Sequence, residues 1–119
     1  MKKYLFIIFF SYFSTLSAWE LLSEFPGPDR LDPKTLSING KIFVFGGQSN
    51  INPNEPIFDV WVYHTDNNMW EEKNPLPEGI QHLWYENSAS FVIVQNVIYG
   101  MYKDRLYEYS MIDDNWELI

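Results

Sequence analysis

Few residues in this chain could do chemistry, and their spacing supports none of the common mechanisms. His64 and His82 lie far apart, and there is no cysteine. Zinc sites draw on clustered His and Cys at short spacings, so both histidines read as satisfied surface or turn residues rather than ligands. Acids cluster twice, in Asp66-Asn67-Asn68 and Asp113-Asp114-Asn115, each just ahead of a tryptophan. Calcium takes about six to eight oxygen ligands, and neither cluster has the EF-hand spacing or its glutamate. Asp and Asn side chains bond the local backbone and tolerate left-handed φ, so both clusters read as turns. Gln81, His82, Trp84 and Tyr85 form the one polar and aromatic group suited to a ligand. Trp84-Tyr85 could stack on a sugar or anchor a protein partner; its structural alternative is a pair of rings filling a core. The residues therefore predict no metal, no cofactor and no catalytic constellation, hence no enzyme.

Composition narrows the partners. The chain has 119 residues, a net charge of −8, 46% hydrophobic and 18% aromatic residues. Such acidity argues against nucleic acid, which needs clustered Lys and Arg. At the N-terminus, Lys2-Lys3 precedes an apolar run from Tyr4 to Phe13 and the small, polar Ser14-Thr15-Leu16-Ser17-Ala18. That order predicts a signal peptide over residues 1–18, cleaved after Ala18 or Ser17, and an exported chain with no membrane association afterwards. Without cysteine the exported chain has no disulfides, so burial and strand pairing must hold it together.

The elements that must position these residues are strands. In Leu36-Ser37-Ile38 the period of two fits a strand, and Asn39-Gly40 is a hairpin signal because a type I′ turn needs positive φ at both central positions. Lys41–Phe45 is a short apolar strand that reaches Gly46-Gly47, where a Cβ would clash with a close neighbour. Val60–Tyr63, a turn at 65–68 and Trp70-Glu71-Glu72 follow. Much of this recurs. Trp19-Glu20 and Phe25-Pro26 match Trp70-Glu71 and Leu76-Pro77, while Tyr63 and Trp70 match Tyr109 and Trp116. Self-similarity near 50 residues is the period of blade-type repeats.

Gly46-Gly47, Tyr63 and Trp70, with Gly100, Tyr109 and Trp116 as a weaker second set, resemble the kelch repeat. The resemblance implies an all-β chain of two four-stranded antiparallel propeller blades, about 34–73 and 88–119, the second degenerate for want of a glycine pair and with a second-to-third strand loop about ten residues shorter. In it the tyrosine and tryptophan are core residues packed near the glycines. Trp19–Leu22 would be a fourth strand whose own blade is missing. Propellers close with about four to eight blades, so the expectation is the N-terminal part of a longer propeller, with open blade edges able to self-associate. The loops 26–33, 48–57 and 74–87 should share one face. The functional expectation is an exported binding module for a protein partner; its alternative is part of a carbohydrate-active or carbohydrate-binding propeller. Of the chemistries known on the fold, the cysteine-crosslinked tyrosine of galactose oxidase is impossible here, and sialic acid epimerases leave no recognisable match.

Overall fold

The structure, a computed structural model, describes residues 19–52, 55–80 and 89–119. Nine strands follow one another: β1 (Arg30–Leu31), β2 (Lys34–Ile38), β3 (Lys41–Ser49), β4 (Pro56–His64), β5 (Met69–Lys73), β6 (Ser90–Val94), β7 (Val97–Tyr102), β8 (Arg105–Ser110) and β9 (Asn115–Leu118), with one 3-10 turn at Glu78–Ile80. Sheet one joins β1 and β2 to β3, then β4 and β5; sheet two runs β6-β7-β8-β9. All pairings are antiparallel between near neighbours in the chain, which short turns enforce. Asn39 and Gly40 take φ of 49° and 72°, and Gln95 and Asn96 take 49° and 63°. Both first hairpins therefore use the same doubly positive turn, although only one has glycine to ease it. The described residues are all-β, and their two sheets have the strand order expected of two successive propeller blades.

The first strand of sheet one is broken. β1 pairs Arg30 with Ser49, and β2 pairs Lys34 with Phe45. Asp32-Pro33 lies between them, opposite a register shift that separates Phe45 from Gly47 on the β4 side of β3. Gly46 and Gly47 sit there at φ of 51° and 113°, and a Cβ on either would come within 2.7 Å of a backbone oxygen, Ile57 O for Gly46 and Leu31 O for Gly47. The glycine pair is thus a β-bulge pressed between two strands. Gly100 does a different job. It is the fourth residue of β7, as Val44 is of β3, and its bare Cα makes room for side chains, Phe91 at 2.9 Å and Ile80 at 3.0 Å from a notional Cβ.

Sheet two has no bulge, and each of β7 and β8 is three residues shorter than β3 and β4. Most of the length difference expected in the loop after strand two is therefore strand. Gln48 and Ile57, expected in that loop, are paired residues of β3 and β4.

The core lies between the sheets. Ile38, Phe43, Phe45, Val60 and Val62 of sheet one are buried with Ile98 and Tyr109 of sheet two and Leu76 of the connection. Phe45 stacks on Phe91 at 4.3 Å between ring centroids, and Phe43 meets Tyr109 edge-on at 6.0 Å. Burial on this scale contributes on the order of 2 kcal/mol per large side chain. The other face of sheet one is covered in part by the segment before β1: Phe25 packs edge-on against Trp70 at 4.9 Å and Trp61 at 5.8 Å. Trp19–Leu22 forms no strand. A fourth strand needs the free edge of a third, and the third strands β4 and β8 already carry β5 and β9 there; Trp19 and Leu21 stay about nine-tenths exposed, at 89% and 94%.

Candidate ligand-binding face

Antiparallel order sends the connections to two ends. The hairpin turns at 39–40, 65–68, 95–96 and 111–114 share one end; segments 26–33, 74–80 and 103–104, with residues 50–52 and 55, share the other.

The turn end is structural. Tyr63 and Trp70 are directly paired across β4 and β5 with centroids 5.1 Å apart, and Tyr109 and Trp116 across β8 and β9 at 4.8 Å. The Tyr63 hydroxyl donates to Asn68 Oδ1 (2.7 Å), which also accepts the Ser23 backbone N–H (2.8 Å). In sheet two the Tyr109 hydroxyl donates to Asp114 Oδ1 (2.7 Å), and the Asn74 N–H reaches both Asp114 oxygens (3.1 and 3.0 Å). Each acid or amide thus fastens its blade to the segment that enters it. Asn68 and Asp114 hold φ of 55° and 49°, the turn role expected of these clusters. Burial, then the bond to Asp114, raises the Tyr109 hydroxyl well above its ordinary pKa of 10. The Trp70 indole N–H donates to Ser23 O (3.2 Å), whereas that of Trp116 is buried without a partner among the described residues.

His64 Nε2 lies 2.8 Å from Glu71 Oε2, and Glu71 also pairs with Lys73. Lys73 first, then His64, holds the Glu71 carboxyl below its usual range. Among the described residues no three of His, Asp and Glu gather to hold a metal. Gln81, His82, Trp84 and Tyr85 lie outside the described residues, as do residues 1–18.

The loop end carries two features that sequence reasoning missed. Arg30 makes a bidentate pair with Asp59, its Nη2 2.7 Å from Oδ2, and donates to Gly46 O (2.9 Å) and Pro28 O (3.2 Å) while lying over the Phe25 ring at 4.8 Å. The Trp61 indole completes Asp59 at 2.8 Å. With side chains only 5% and 17% exposed and four hydrogen bonds drawn from the guanidinium, this pair anchors the loop to the bulge rather than meeting a ligand. The second feature is an open cavity of about 270 Å3 lined by Glu78, Tyr102, Lys103, Asp104 and Arg105. No motif announced it; its only trace in sequence is Lys103-Asp104-Arg105 between two apolar strands.

The first sheet, with its glycine bulge, Tyr–Trp pair and four-strand order, defines the class: the kelch motif matches residues 29–77, and this stretch is a kelch repeat. Over a similar length the chain is like curated sugar enzymes. It is 37% identical over 54 residues to N-acetylneuraminate epimerase of Pasteurella multocida (strain Pm70), covering 44% of this chain and 14% of that protein. To the epimerase of the same name from Salmonella arizonae it is 35% identical over 66 residues, 52% of this chain and 17% of the relative; for Yersinia enterocolitica the figures are 30% over 59 residues, 46% and 15%. The matched stretch is thus about one-sixth of each relative's length.

These matches overturn two expectations. Sialic acid epimerases do leave a match here, and the reading of the chain as no enzyme is corrected by relatives that carry an enzyme's name. Metal-ligand and nucleophile spacings do not report this kind of reaction. Epimerisation requires only a proton donor and acceptor, and ordinary side chains supply those without a spacing signature.

Proposed function

We propose that this chain provides kelch blades for the recognition and epimerisation of an acidic amino sugar of the N-acetylneuraminate class, in an exported protein freed of residues 1–18. The observation that carries this reading is its likeness to several N-acetylneuraminate epimerases. It is supported by the loop end, where Lys103 and Arg105 offer cations to a carboxylate in a chain whose net charge is −8. The test is the rate at which N-acetylneuraminate epimers equilibrate, followed by proton NMR with and without the exported chain, whose mass reports the cleavage. Faster equilibration that saturates with sugar is expected. An unchanged rate at protein concentrations comparable to the sugar would remove the catalytic part, and an intact N-terminus on the recovered chain would remove export.

One observation favours a second reading, a protein-docking module. The face of sheet two turned away from the core shows Val92, Val94, Met101 and Leu106, each more than a third exposed.

A further inference from the structure

We infer that the cavity between the Glu78–Ile80 turn and the β7–β8 turn is the subsite that binds the carboxylate of an acidic sugar, with Lys103 and Arg105 as its cationic anchors; this rests on the sugar-acting reading above. Its volume, about 270 Å3, is just below the range of drug-sized pockets, roughly 300–1,000 Å3, and suits one sugar ring. Its chemistry is mixed in a way that selects. Two cations can take a carboxylate by charge-assisted hydrogen bonds, while Glu78 and Asp104 can only accept when ionised and so suit neighbouring hydroxyls. The four formal charges of the lining cancel, so a compact dianion would gain less there than a singly charged ligand whose hydroxyls donate to Glu78 and Asp104.

Backbone geometry gives a second, independent reason. Lys103 sits at φ 54° in the two-residue turn joining β7 to β8. Among the described residues the others with positive φ besides glycine are Asp32, Asn39, Asn68, Gln95, Asn96 and Asp114, nearly all of the Asn and Asp types that bear this conformation most readily. A lysine there is a poor choice for the turn. Backbone strain of this kind concentrates where a side chain is needed for function. The side chain is also positioned: Lys103 Nζ lies 5.1 Å from the centre of the Tyr102 ring, a cation–π contact that holds the ammonium in place. Arg105 opens β8 and lines the same cavity.

The test titrates the full chain with N-acetylneuraminate and with its methyl ester, which removes the charge at the cost of one added methyl group. Saturable binding of the acid and at least tenfold weaker binding of the ester are expected, since charged hydrogen bonds carry about that discrimination. Lys103→Asn keeps a residue suited to the turn, so its thermal midpoint should equal or exceed that of the parent while acid binding weakens about tenfold. Arg105→Gln should weaken binding similarly, and Lys41→Asn, the same loss of charge at the other end of the sheets, should not. Absence of saturable binding, equal binding of acid and ester, or parental affinity in Lys103→Asn would each overturn the subsite. Epimer equilibration is read separately. If it survives Lys103→Asn unchanged, the subsite fails and the sugar-acting reading stands. Tight, charge-dependent binding with no equilibration keeps the subsite and removes catalysis by this chain.

Discussion

Tyr109 shows how far a single side chain can be committed to the fold. Its ring is 2% exposed, meets Phe43 and Trp116, and its hydroxyl is spent on Asp114. Burial and the neighbouring carboxylate both oppose its ionisation, so the folded pKa lies above the ordinary value of 10. A raised pKa contributes stability that is complete below the unfolded value and is lost as pH climbs toward the folded one. We therefore expect stability to fall as pH rises above about 10, where unfolded tyrosine ionises freely. Tyrosinate absorbance should show one group that titrates only as circular dichroism reports unfolding; a tyrosine set that ionises fully with the sheets intact would refute this. The turn acids and the recurring tyrosine and tryptophan could be read from their types alone. The bond from Tyr109 to Asp114 left a trace that went unread: tyrosine followed five residues later by an amide or acid, in both repeats.

Among the elements, β3 depends most on its sequence. Its bulge places Gly46 and Gly47 at left-handed φ with backbone oxygens 2.7 Å from a notional Cβ, so alanine there meets both torsional strain and a neighbour that cannot swing aside. Gly47→Ala should destabilise by about 2–4 kcal/mol. Gly100→Ala carries no such φ and presses on Phe91 and Ile80 side chains, which can turn, so about 1 kcal/mol is expected. Urea midpoints decide it, and an equal cost at the two sites would mean the bulge is not under strain. The strand order, hairpins and turns of both sheets were legible because Asn39-Gly40, the alternation of apolar residues and the second copy all pointed one way. The split first strand was not. Its cause is a contact between Leu31 and Gly47, sixteen residues apart, which no local pattern carries. Residues 19–22 misled for the converse reason: their likeness to β5 is real, but a strand exists only where another strand offers it an edge.

In the molecule as a whole the two sheets are repeats with unequal fates. On sheet one, Phe43, Phe45, Val60 and Val62 lie beneath sheet two; the corresponding face of sheet two carries Val92, Met101 and Leu106 in the open, with Glu108 paired directly opposite Glu117. Glu108 stands where sheet one has Val62, and like charges in register disfavour burial. Glu108→Val should therefore raise self-association, by about tenfold in dimer affinity if one buried carboxylate is removed. Light scattering across a concentration series reads it; an unchanged mass would show that this face does not bind a second copy. The fastening of each sheet to its entering segment also sets a timetable. Ser23 waits for Asn68 and Asn74 for Asp114, partners 45 and 40 residues later in the chain. At ribosomal rates of about 5–20 residues per second, Phe25 leaves the exit tunnel roughly 2–9 s before Trp70, the ring it packs against. During synthesis the segment before β1 is thus a sticky end in need of a guardian, and slowing translation between Phe25 and Trp70 would lengthen its exposure.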